Sequence, residues 1–138
     1  MSDRSTGLPH LRAAGTSLLL DARGPGPVTV PHWGPDLGDL GTGTLAELAG
    51  AAVPAVPLGG QYEPVPVGLL PAPASGDPGC PGLLGSRAGR DFSPLFGPPD
   101  VAVTGGSAVP RSADPVAGLA LRTELSLARE GCCGSGTR

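Results

Sequence analysis

Lysine, asparagine and isoleucine are missing from the 138-residue chain, and its aromatic residues are one Trp, one Tyr and two Phe. Without Lys there is no Walker-type phosphate loop. The glycine-rich residues 38–43 (GDLGTG) follow no strand directly and read as a plain loop. All nine basic residues are Arg; with 12 acidic residues they leave a net charge of −3 and no block of one sign. A nucleic-acid binder needs a basic face for its phosphate contacts, so this balance argues against that class. Lys, Asn and Ile also share A/T-rich codons. Their joint absence indicates a GC-rich gene and makes much of the Ala, Gly, Pro and Arg excess mutational.

Long apolar runs are absent too. None approaches the ~18 residues that span a bilayer, and residues 1–11 carry no apolar stretch of secretory type. The expected compartment is the cytoplasm, with neither membrane nor nucleic acid as partner. Cysteine is scarce: Cys132 and Cys133 are adjacent, Cys80 is distant, and His10 and His32 lie far from all three in sequence. No zinc-type spacing results, so no metal and no cofactor are expected.

Glycine and proline are plentiful, at 24 and 18 residues, a level at which disorder competes with folding. Leu (19), Val (10) and Phe (2) make up just over a fifth of the chain, slightly above the ~20% below which a chain usually cannot bury enough to fold. Short strands are the pattern that emerges. Residues 16–22 (TSLLLDA) and 28–33 (VTVPHW) flank Gly24-Pro25-Gly26-Pro27 and read as strand, turn, strand. Pro31 has no N–H to donate, which places the second at an edge or strand end. Thr44 and Glu47 form a capping-box signature for a short helix bearing Leu45, Leu48, Ala49 and Ala52 on one face, stopped by Pro54.

Residues 55–99 carry too many prolines for a central sheet. Edge strands and loops are expected there, with Val65, Val67 and Leu69 the one alternating stretch. Residues 101–104 and 107–111 read as a hairpin around Gly105-Gly106. A turn over 114–118 leads into residues 119–127, with Leu119, Leu121, Thr123, Leu125 and Leu127 on one face. The fold class is therefore mainly β: a partial antiparallel, supersandwich-like β-sandwich with one short helix and long Pro/Gly-rich loops. Incomplete cover over Leu119, Leu121, Leu125 and Leu127 is expected to promote association.

Candidate chemistry is sparse. Carboxylate pairs such as Asp36 with Asp39, or Asp91 with Asp100, sit in loops with nothing to fix their separation and read as turn residues. A Cys or Ser with His10 or His32 could form a nucleophile and base, but no local motif supports it. Trp33 ends a strand, where it could stack on a sugar ring; core anchoring is the expectation. Arg90 and Asp91 could hold a sugar hydroxyl, and are expected instead to tie down a loop beside a buried Phe92.

Four segments together carry a resemblance: residues 11–18 (LRAAGTSL), 30–38 (VPHWGPDLG), 82–94 containing Gly89-Arg90-Asp91-Phe92-Ser93-Pro94, and 113–127. They resemble the N-terminal β-sandwich domain of actinobacterial α-galactosidases of glycoside hydrolase family 36. The strand ending in His32-Trp33-Gly34 before an Asp36-Leu37 turn is the most specific part. The resemblance implies a modular enzyme with an N-terminal supersandwich, a central (β/α)₈ barrel and a C-terminal β-sheet domain. Such enzymes hydrolyse terminal α-galactosides with retention through two aspartates of the barrel. No segment here matches those barrel motifs, so no catalytic residue carries over. The expected role is a non-catalytic domain, residues 1–128, inactive alone, meeting α-galactosides only through a barrel that this chain lacks. Family members also use this domain at subunit contacts, so a homo-oligomer, or a stand-alone carbohydrate-binding or assembly module, is the competing expectation. A disordered Pro/Gly-rich segment is a third.

The chain departs from the family at Asp77 and Cys80, and again from Arg129. Residues 129–138 are expected to form a disordered tail outside the family pattern, and to be a frameshift product. Gly131-Cys132-Cys133-Gly134 is encoded GGN-TGY-TGY-GGN. Read from the third base of the first codon, it gives Leu, Val or Met, then Leu, then Arg or Trp, as an apolar strand would.

Overall fold

Three consecutive leucines, Leu18, Leu19 and Leu20, set the architecture because a half-exposed strand could not bury all of them. The computed structural model describes residues 7–55, 66, 68–75, 80–90, 92–128 and 133–137. In it the leucines lie on the middle strand of an antiparallel three-stranded sheet ordered β1 (His10–Ala13), β2 (Thr16–Asp21) and β3 (Thr29–Pro35). Each leucine is at most 1% exposed. Successive side chains of a strand point to opposite faces, so β2 needs cover on both sides.

One cover is α1 (Thr42–Ala51), whose Leu45 and Ala49 pack with Leu8 and Leu19. The other is a second antiparallel sheet ordered β4 (Asp100–Thr104), β5 (Ser107–Asp114), β6 (Leu119–Leu127) and β7 (Cys133–Thr137). Its Ala108, Leu125 and Leu127 close on Leu11, Leu18 and Leu20. The order of layers is helix, three strands, four strands. Fully burying a Leu contributes roughly 1.5–3 kcal/mol, so β2 concentrates the stabilisation in one strand.

The mainly β expectation holds, and several details change. Residues 10–13 form a strand that the sequence did not announce. The β1–β2 turn is Ala14-Gly15, with φ 48° and 76°, a two-residue hairpin turn built without the Asn-Gly or Asp-Gly that usually marks one. β3 is an edge strand, as Pro31 requires. Its register with β2 slips between Leu19↔His32 and Asp21↔Thr29, a bulge that takes in Pro31.

The capping box does not form. Gly41 is the N-cap, without a side-chain cap, Thr44 lies inside the helix, and Ala52 follows the helix end and is exposed. Among residues 52–99 the described secondary structure is a 3₁₀ turn at Pro73–Ser75 and isolated bridges at Thr29↔Gly68 and Arg87↔Arg90. Val65 and Val67 lie outside the described residues.

In the second sheet, Gly105 (φ 57°) and Gly106 make the β4–β5 turn, with Thr104 opposite Ser107. The β5–β6 ladder breaks at Val109 and Pro110 and resumes at Arg111↔Arg122, as a proline inside a sheet demands. β6 alternates as expected. Leu125 and Leu127 are buried, so the expected incomplete cover is confined to Leu119 and Leu121, which are half-buried. Residues 133–137 correct the expected disordered tail, since they pair with β6 from Thr123↔Thr137 to Leu127↔Cys133. No helix among the described residues is long and apolar enough to cross a membrane.

Candidate functional site

Asp36, one residue past β3, is the polar centre of the three-stranded sheet. Its carboxylate accepts from Arg12 Nε and Nη2, both at 2.7 Å, from Ser17 Oγ at 2.9 Å and from the Gly38 N–H at 3.1 Å. The fork-on-fork pairing with Arg12 is the strong form of a carboxylate contact. It joins β1 and β2 to the segment entering α1. The Arg12 and Ser17 hydrogen bonds hold the Asp36 carboxyl far below the usual carboxylate range.

A serine and a histidine do meet here. Ser17 Oγ lies 3.0 Å from His10 Nε2, yet the wiring is that of a strut. Ser17 gives its only proton to Asp36 and accepts from the Leu37 N–H at 3.0 Å. His10 must therefore present Nε2–H as a donor, whereas a general base needs a free ring nitrogen facing the nucleophile. Ser17 is also fully buried. Burial, then the Arg12 charge, lower the His10 pKa and favour the neutral ring.

The His32-Trp33-Gly34 segment has a physical explanation residue by residue. His32 donates from Nε2 to the Pro35 carbonyl at 3.0 Å, folding its ring over Gly34. A Cβ at Gly34 would lie 3.3 Å from the ring's Cε1, so the smallest residue relieves the crowding. Trp33 projects to the other face, opposite Leu18 on β2. Its 62% exposure corrects the core expectation: the second sheet covers Leu11 and Leu18 in the same cross-strand row but not the edge position.

The remaining candidates do not converge. Phe92 is 64% exposed, which corrects the expected burial; Phe96 is the buried phenylalanine. Arg90 is exposed and closes a tight turn with Arg87 through reciprocal backbone hydrogen bonds of 3.0 Å. Asp91, Asp77 and Cys132 lie outside the described residues, so the Arg90–Asp91 and Asp91–Asp100 pairings do too. Asp36 is committed to Arg12, Ser17 and Gly38, and no contact among the described residues joins it to Asp39. Cys80 is exposed and free. No group of three metal-ligating side chains is present among the described residues.

Sequence reasoning placed Asp114 in a turn but missed its wider grip. It ends β5, is 5% exposed, and accepts N–H groups from Leu95 at 2.8 Å, Val116 at 2.9 Å and Ala117 at 3.0 Å. The Ala117 and Leu95 bonds lower its pKa. The Asp-Pro step was a readable turn signal, but the contact to Leu95 is long-range and has no sequence mark. Comparison of the chain with protein families, with curated proteins and with solved structures gives no match.

Proposed function

We propose that this chain is a non-catalytic N-terminal β-sandwich domain of an α-galactosidase-like enzyme of glycoside hydrolase family 36, inactive alone. One observation supports the reading most. The two most family-like segments, 11–18 and 30–38, are tied to each other by Asp36, which holds Arg12 and Ser17 at once. The residues of the resemblance thus form a connected unit whose job is to fix strand order and the approach to α1. Its carboxylate and hydroxyl are engaged in structural hydrogen bonds, which suits a scaffold. On this reading the galactoside-cleaving carboxylates belong to the barrel, the frame of the tail is shifted, and cytoplasmic location and self-association follow the family.

The exposed Trp33 favours a second reading, a carbohydrate-binding or assembly module, because an uncovered indole can stack on a sugar ring. One titration separates the two. The purified chain is mixed with an aryl α-galactoside while product release and Trp33 fluorescence are followed, Trp33 being the only tryptophan. The scaffold reading expects no turnover above a blank and unchanged emission. Saturable quenching without turnover favours the binding module. Turnover abolished by changing an Asp or Glu of this chain overturns both.

A further inference from the structure

At one end of the four-stranded sheet, Leu83, residues 85–87, Pro94 and the β5–β6 turn border an open surface cavity of about 180 Å³. Leu83, Pro94, Ala117 and Leu119 supply apolar walls, and Gly85, Ser86 and Arg87 add to the lining. Asp114 builds this hollow, since its bonds to Leu95, Val116 and Ala117 clamp the loop to the turn. Arg87 is held by the tight Arg87–Arg90 turn, in which Ala88 and Gly89 take φ 50° and 75°. Its Nη1 reaches over the β5–β6 turn, 3.5 Å from where a Cβ on Gly118 would stand.

Charge gives the cavity its chemistry. Arg12, Arg23 and Arg122 each hold a carboxylate. Arg87 and Arg90 face each other across their turn, and neither has an ion-pair partner among the described residues. Facing like charges are unfavourable. The carboxylate of the neighbouring turn, Asp114, accepts backbone N–H groups on both its oxygens and makes no ion pair with either guanidinium. An apolar hollow bordered by a guanidinium with no ion pair among the described residues is complementary to a small amphipathic anion.

We propose that this cavity binds a short-chain alkyl carboxylate, its chain against Leu83, Pro94, Ala117 and Leu119 and its carboxylate on the fork of Arg87. The volume holds about six groups of water size, so a chain of about four to six carbons fills it. The test is a titration of the full chain with hexanoate, followed by amide chemical shifts, with acetate and hexanol as ligands lacking the tail or the charge. Saturable shifts confined to residues 83–87, Leu95, Asp114 and residues 116–119 are expected with hexanoate. Both comparators and Arg87→Gln should bind about tenfold more weakly, and Arg111→Gln, at an exposed arginine on β5, should bind like the parent. Arg87 is exposed, so its replacement leaves the core intact. Absence of saturable shifts, shifts elsewhere, equal binding of hexanol, or undiminished binding by Arg87→Gln overturns the proposal.

Discussion

Ala14 and Ala88 both sit at positive φ, each before a glycine in a two-residue turn. Asn is the residue that usually takes that position at little cost, and this chain has none. Alanine fills both left-handed positions, at a penalty of roughly 1–2 kcal/mol each. Replacing Ala14 with glycine should raise stability by up to about 1 kcal/mol, the strain relieved exceeding the added unfolded-state entropy. In Ala102→Gly on β4, where φ is already that of a strand, the same change should cost about 0.5–1 kcal/mol. Denaturant titration of the two variants against the parent measures both, and equal effects of one sign would show that Ala14 is not strained.

Secondary-structure elements here succeed or fail through β2. Leu19 binds the helix and Leu18 binds the second sheet, so each truncation should detach a different layer. Leu18→Ala and Leu19→Ala should each cost about 2–5 kcal/mol. Only the second should lower the helical signal ahead of the main unfolding transition. Loss of both layers together in either variant would show that the core is a single cooperative unit.

Period-2 alternation marked β6, and Gly105-Gly106 marked its neighbouring hairpin, because local pattern and turn chemistry agree there. β1 escaped notice for want of a turn signal at Ala14-Gly15. β7 escaped because Cys-Gly-Ser-Gly-Thr has poor strand propensity; it is a strand through pairing with β6. Of the candidate site, the turn at Asp36 was legible. Its grip on Arg12, 24 residues away, was not, since nothing local encodes a tertiary partner. Trp33 and Phe92 were placed inside on hydrophobicity alone, which cannot say whether the facing layer extends far enough to cover an edge.

For the molecule as a whole, the carboxylates dictate its response to acid. Hydrogen bonds from Arg12 and Ser17 lower the Asp36 pKa, and those from Ala117 and Leu95 lower that of Asp114. At Asp21 burial acts to raise it, and the Arg23 hydrogen bonds outweigh burial. A depressed folded pKa means that the unfolded chain takes up protons first as pH falls. Their stabilisation is fully present above the ordinary carboxylate range and is lost progressively below about pH 5. His10, depressed by burial and then by Arg12 from its ordinary 6.5, adds a shallower loss of the same sign just below that value. The Tm should be flat above neutrality, decline slightly toward pH 5 and fall steeply beneath it; a Tm that rises on acidification would contradict these assignments.

Scaffold wiring at Asp36 and the separate layers on β2 support the proposed reading of a domain that positions a barrel. The most direct test is the nucleotide sequence on the 3′ side of the Arg138 codon, read in every frame. The proposed origin predicts that the frame entered at the third base of the Gly131 codon continues through an apolar strand into an α-galactosidase barrel. A stop codon within a few residues in that frame, or no barrel in any frame, would contradict it.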